Sequence, residues 1–223
     1  MATKIYIDQG HNPRNPNAGA EGNGLREQDI VFRVGIALRD LLLANGNFEV
    51  RLSRPTAETQ IGTSNSSSLR MRVNDANAWG ADYFISLHTN AATSAAATGS
   101  EGFVYSQPSV AYNFAEDILR RMSEVTGLRN RGVFVRPGLY VLRRTAMPAV
   151  LVELGFITNP SDARLMNENP GLFATGIYQG ILDYLNLKAY SPSIFRSPSS
   201  SMTGMPRALA LVSLLPAASP ATT

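Results

Sequence analysis

His11 and His88 are the only histidines in this 223-residue chain, and it has no cysteine. Thiolate metal sites, disulfides and a cysteine nucleophile are therefore excluded together, and any metal site must use nitrogen and oxygen donors. Two carboxylates, Glu27 and Glu153, stand at positions from which they could join the histidines. Two imidazoles and one carboxylate, with water in the fourth position, form a donor set used for catalytic zinc. Zinc lowers the pKa of a bound water to about 7, and a further carboxylate can carry its proton to a leaving nitrogen.

Whether these residues meet depends on the elements that carry them. Lys4–Asp8 (KIYID) reads as a first strand, followed by an Asn-, Pro- and Gly-rich loop from Asn12 to Gly24. Glu27–Leu43 has helical spacing through Ile30, Val31, Val34, Leu38, Leu41 and Leu42, and Asn45-Gly46 ends it. Phe48–Ser53 predicts a strand and Leu69–Trp79 a helix. Asp82–Leu87 (DYFISL) is a continuous apolar run that predicts a strand buried on both faces. Gly102–Ser106 predicts a further strand, and Ala111–Val125 a helix with Ile118, Leu119 and Met122 inward. Ala149–Leu154 (AVLVEL) predicts a strand, and Asn169-Pro170 opens a last helix through Ile177, Ile181 and Leu185.

This alternation predicts an α/β fold: a three-layer α/β/α domain around a largely parallel, twisted sheet of about six strands. In such a sheet the carboxyl ends of the strands share one edge, where ligands bind. His11 follows the first strand, His88 closes the third and Glu153 closes the AVLVEL strand, while Glu27 begins the helix after the first loop. Four metal-competent side chains, far apart in sequence, are thus expected at one edge. Each also has a structural reading: a hydrogen-bonded strand-end histidine, a carboxylate on a helix dipole, a salt-bridged glutamate. Spacing alone leaves both readings open, although burying an unpaired carboxylate such as Glu153 in an apolar strand is costly.

The net charge is +3. Residues 189–223 contain Arg196 and Arg207 and no acidic residue, which leaves 18 basic against 17 acidic residues before them. A body so nearly neutral lacks the basic stripe of a nucleic-acid binder. No apolar run reaches the length of a membrane span, and no signal-peptide pattern is visible at Met1-Ala2-Thr3-Lys4. The last 33 residues hold eight Ser and five Pro without periodicity. The expected division is a catalytic domain over 1–188 and a disordered Ser/Pro/Ala-rich tail over 189–223.

The residues around the four candidates carry a resemblance. IDQGHN at Ile7–Asn12, LREQD at Leu25–Asp29, SLHTN at Ser86–Asn90 and VLVELGFITNP at Val150–Pro160 occur in order. With LxxRxxxAN at Leu69–Asn77 and LYVLR at Leu139–Arg143, they resemble the zinc-dependent N-acetylmuramoyl-L-alanine amidases of autolysins, spore-cortex enzymes and phage endolysins. The resemblance runs from about Lys4 to Leu187. It implies one zinc per chain held by His11, Glu27 and His88, with Glu153 as catalytic carboxylate and Asn90 as a substrate-binding or turn residue. It makes Arg72 and Asn77 structural, and Leu154, Gly155 and Phe156 the shapers of the turn beneath the metal. Gln9 and Asn12 depart from the commonest first motif, which has Pro before the Gly and Gly after the His. The segment between His88 and Gly102 is short, which implies an open cleft without an autoinhibitory helix.

The function implied is zinc-dependent hydrolysis of the amide between N-acetylmuramic acid and L-alanine in peptidoglycan. The alternatives are a zinc peptidase acting on stem peptides and a non-catalytic or partner-regulated wall-binding protein. The expected partner is peptidoglycan, with no nucleic acid, no membrane span and a monomer by default. The expected place of action is the cell wall, after export or phage-mediated release.

Overall fold

A computed structural model describes residues 2–189; the tail expected over 189–223 lies, but for Ala189, outside the described residues. The chain runs β1 (Thr3–Gln9), a small hairpin of β2 (Glu21–Gly22) and β3 (Leu25–Arg26), α1 (Glu27–Asn45), β4 (Phe48–Leu52), α2 (Asn65–Trp79) and β5 (Tyr83–Asn90). It continues through β6 (Ser100–Val104), α3 (Val110–Thr126), β7 (Asn130–Val135), α4 (Tyr140–Arg144), β8 (Ala149–Phe156), α5 (Pro160–Glu168) and α6 (Pro170–Tyr184).

Six strands form one sheet in the order β4-β1-β5-β8-β6-β7. All neighbours are parallel except β6 and β8, which are antiparallel. The predicted α/β class with a largely parallel six-strand sheet is therefore borne out. The central strands β1, β5 and β8 align their carboxyl ends, which is the edge the candidate residues need.

Alternation along each strand divides the core in two. Ile5, Ile7, Ile85, Leu87, Val150 and Val152 face a layer made by α1, α3 and α6, with Ile30, Val34, Leu38, Phe114, Ile118 and Ile177 fully or almost fully buried there. Burial of each such aliphatic side chain contributes roughly 1.5–3 kcal/mol. Tyr6, Phe84, Ala149 and Leu151 face the other way, onto Val73 and Ala76 of α2 and Val141 and Leu142 of α4. This second layer is thin, because α4 has five residues.

Helix ends follow local chemistry. Gly46 closes α1 in the left-handed conformation at φ 79°, where glycine meets no Cβ penalty. Ser64 caps α2 through a capping box with Ser67, so the helix starts four residues before the expected Leu69. β5 and β8 run on to Asn90 and Phe156, so His88 and Glu153 lie within strands rather than at their ends.

Candidate active site

His11 lies two residues past β1 with φ +65°, an uncommon conformation for a residue with a Cβ. Arg72 holds it there. Its guanidinium, buried on α2, donates to the carbonyls of Gln9 and His11 and pairs with Asp8 at 2.6 Å. Burial raises the Asp8 carboxyl, but the charge and hydrogen bond of Arg72, with the Ser86 hydroxyl, outweigh it and hold Asp8 below the usual carboxylate range. Arg72 is thus structural, as the motif implied, and what it structures is the backbone that presents His11.

The two departures from the commonest first motif hold the same loop. The Gln9 amide brackets the Arg54 backbone, giving to its carbonyl and accepting from its N–H. The Asn12 amide brackets Ile61 in the same way and also donates to the Pro16 carbonyl. Between them Gly10 is obligatory, because a Cβ there would stand 2.5 Å from Cε1 of His88 and 2.6 Å from the Leu87 carbonyl oxygen.

Glu27 is the first residue of α1, and the β2–β3 hairpin before it aims it inward. Its Oε2 accepts from Ala20 N–H and its Oε1 from Thr89 N–H, each at 2.9 Å. The same Oε1 lies 2.9 Å from His88 Nδ1 and 3.2 Å from His11 Nε2. One ligand atom from each of His11, Glu27 and His88 can be chosen so that all lie within 4.8 Å of one another. The two rings meet edge to face at 4.8 Å. Burial raises the Glu27 carboxyl, yet hydrogen bonds and charge from both imidazoles hold it well below the ordinary range. The structure thus brings together the three residues named as ligands, and two nitrogens with one carboxylate oxygen suit zinc.

Glu153 sits on β8 as the register partner of His88 on one side and of Glu101 on the other. Its Oε2 is buried with no hydrogen-bond partner, and so is His11 Nδ1. Native proteins rarely leave such atoms unpaired without a functional reason, so a cation and its water fit the arrangement. Burial, then the charges of Glu27 and Glu101, push the Glu153 carboxyl up to about 8. A divalent cation beside it would act in the opposite direction.

Asn90 lies two residues beyond His88 on β5, as the register partner of Phe156, and its amide is engaged. Nδ2 donates to Glu101 at 3.0 Å, and Oδ1 accepts from Ala91 N–H. Glu101 is in turn salt-bridged to Arg131. Sequence reasoning missed Glu101 and Arg131. The signal for Glu101 was the buried alternation Ser100, Gly102, Val104, which turns Glu101 and Phe103 toward the Glu153 face. Asp162 was missed as well: it takes the Thr98 hydroxyl and the N–H groups of Gly99 and Phe156, tying the segment after β5 onto the β8–α5 junction. That segment, 91–99, contains no helix. Asn77 holds the backbone of Arg144 and Ala146 and is structural.

A cavity of about 130 Å³ opens beside both histidines, walled by Leu69, Leu139, Tyr140 and Leu151. A larger depression, about 440 Å³ around Asn23, Leu25 and Arg164, has no converged donor set. Chemistry therefore belongs at the smaller one. No helix among the described residues is long and apolar enough to cross a membrane.

A converged His–Glu–His donor set with a further buried, unpartnered carboxylate beside it is the equipment of a hydrolytic metal site. A family model described as N-acetylmuramoyl-L-alanine amidase matches residues 5–183, and the chain belongs to that family of enzymes. It is 35% identical over 197 residues to the N-acetylmuramoyl-L-alanine amidase CwlM of Bacillus licheniformis, covering 86% of this chain and 73% of that one. It is 31% identical to the endolysin of Bacillus phage SPP1, over 92% of this chain and 76% of that protein. Among solved structures, the catalytic domain of CwlV from Bacillus (Paenibacillus) polymyxa var. colistinus superposes with a TM-score of 0.73 at 31% identity. That match covers 83% of this chain and 99% of the domain. The amidase resemblance is borne out.

Proposed function

We propose that the chain hydrolyses the amide between N-acetylmuramic acid and L-alanine in bacterial peptidoglycan, with one zinc ion held by His11, Glu27 and His88. The observation that supports this most is Glu153, a carboxylate with an unpartnered buried oxygen, set in register beside a converged His–Glu–His cluster. When bound there, zinc supplies Lewis-acid polarisation and a water of lowered pKa.

The chain's own residues do the rest. Glu27, pinned by two backbone N–H groups, and His88, confined by Gly10, are preorganised and need no rearrangement at the moment of reaction. Glu153 takes a proton from the attacking water on its free oxygen and then gives it to the departing alanine nitrogen. With the cation bound, its charge would oppose the burial and the Glu27 and Glu101 charges that raise this carboxyl, leaving the ionised form to take the first proton. Asn90 contributes by holding Glu101, whose charge helps set the proton affinity of Glu153. All four groups come from one chain, so a monomer suffices. The place of action is the cell wall.

Digestion of purified murein followed by mass analysis tests the reading. An amidase leaves intact glycan strands and new L-alanine amino termini, whereas a stem peptidase produces other termini and a non-catalytic wall binder produces none. A chelator should stop release and added zinc restore it.

A further inference from the structure

The α2–α4 layer covers only part of its face of the sheet. Beyond Leu151, toward β6 and β7, the same face is partly open, and Phe103 and Phe134 pair across the ladder there with Phe134 37% exposed. Phe103 is also the register partner of Leu151, which precedes Glu153 by two residues. The aromatic pair therefore begins one side-chain repeat, roughly 7 Å, from the Glu153 row.

Arg136, the first residue after β7, lies over both rings, its guanidinium carbon 5.2 Å from the Phe103 centroid and 5.6 Å from that of Phe134. Its backbone N–H is fixed by the Val104 carbonyl at 2.8 Å. Its one side-chain hydrogen bond goes to the carbonyl of Val135, and no carboxylate pairs with it among the described residues. Arg131, on β7 itself, is by contrast neutralised by Glu101. Arg136 is thus an exposed cation held in a stacked orientation with donors to spare, which is the arrangement that favours bidentate binding of a carboxylate.

We propose that Arg136, on its Phe103–Phe134 platform, binds a free carboxylate of the stem peptide and makes the chain discriminate acidic stems from amidated ones. The proposal rests on the amidase reading and deepens it. Of the two parts of that substrate, the glycan offers hydroxyl and acetamido groups. The stem continues from L-alanine into a γ-linked glutamate, whose α-carboxyl is free in unmodified wall and capped as an amide in modified wall. An unpaired guanidinium on a platform that begins one side-chain repeat from the catalytic row complements the first form and not the second.

The test uses binding as well as turnover. Synthetic L-alanyl-γ-D-glutamyl stem peptides, in the free-acid and α-amide forms, are titrated calorimetrically into zinc-loaded wild type and Arg136→Gln. Wild type should bind the acid form about tenfold more tightly, the scale of one charge-assisted hydrogen-bonded pair. Arg136→Gln should bind both forms alike, at the wild-type affinity for the amide, and Arg136→Lys should recover part of the preference. Equal binding of the two forms by wild type, or a preference that survives in Arg136→Gln, overturns the proposal. Murein digestion by the same wild-type preparation reports separately on the amidase reading: discrimination in binding with no new L-alanine termini would count against that reading alone.

Discussion

His88 and Glu153 face each other as register partners across the parallel β5–β8 ladder, so two chemical groups 65 positions apart are set side by side by backbone pairing. The ladder loses its regular register immediately after this pair, between His88 and Asn90. There Thr89 turns its N–H to Glu27. One break in one ladder thus links the strand that carries His88 to the helix that carries Glu27. Strand pairing and two backbone N–H groups on Glu27 position these side chains before any substrate arrives.

Glu27 is the residue on which metal retention should depend most. Wild type dialysed against buffer should hold about one zinc per chain, and Glu27→Gln should bind it at least about 10–100-fold more weakly, the loss typical of disturbing even an outer partner of a ligand. Metal analysis with a competitive zinc titration reads this directly. Wild-type affinity in the variant would remove Glu27 from the ligand set.

Gly10→Ala should injure the site from beneath. The added methyl meets His88 and a backbone carbonyl, so overpacking should cost about 1–3 kcal/mol in urea unfolding and weaken zinc binding as well. Gly46→Ala is the control. Its Cβ meets nothing, but φ is +79°, so it should cost about 1 kcal/mol and leave zinc binding unchanged.

The Asp8–Arg72 pair sets an acid limit on stability. The folded-state Asp8 carboxyl lies below its ordinary value of 3.8, so its contribution is present above that pH and is lost as pH falls through the lower folded value. Urea midpoints of wild type should drop more steeply below about pH 5 than those of Asp8→Asn/Arg72→Met. Arg72→Met alone strands a buried carboxylate and should cost about 3–5 kcal/mol at neutral pH. An Arg72→Met protein of wild-type stability would show that the His11 loop is held by other means.

Much of this arrangement was legible in the sequence because it sits on strongly patterned strands. The DYFISL and AVLVEL runs located β5 and β8, and with them His88 and Glu153, to within a few residues. Glu27 was legible as a helix start, but its inward aim depends on the two-residue strands β2 and β3, which are too short to leave a periodic signal. β7 (NRGVFV) was invisible because an edge strand lying mostly in solvent carries no apolar alternation, and its position beyond β6 hid the Glu101–Arg131 pair. α4 has barely more than one turn and declares itself only by packing. The antiparallel β6–β8 junction depends on long-range pairing that no local pattern encodes.

The central claim is that Glu153 moves the proton while His11, Glu27 and His88 hold the metal, and Glu153→Gln separates the two roles. The variant should retain about one zinc per chain and lose about 10²–10⁴-fold in the release of stem peptides from purified murein, the usual share of a general base. Release at the wild-type rate by a zinc-loaded Glu153→Gln protein would contradict the account.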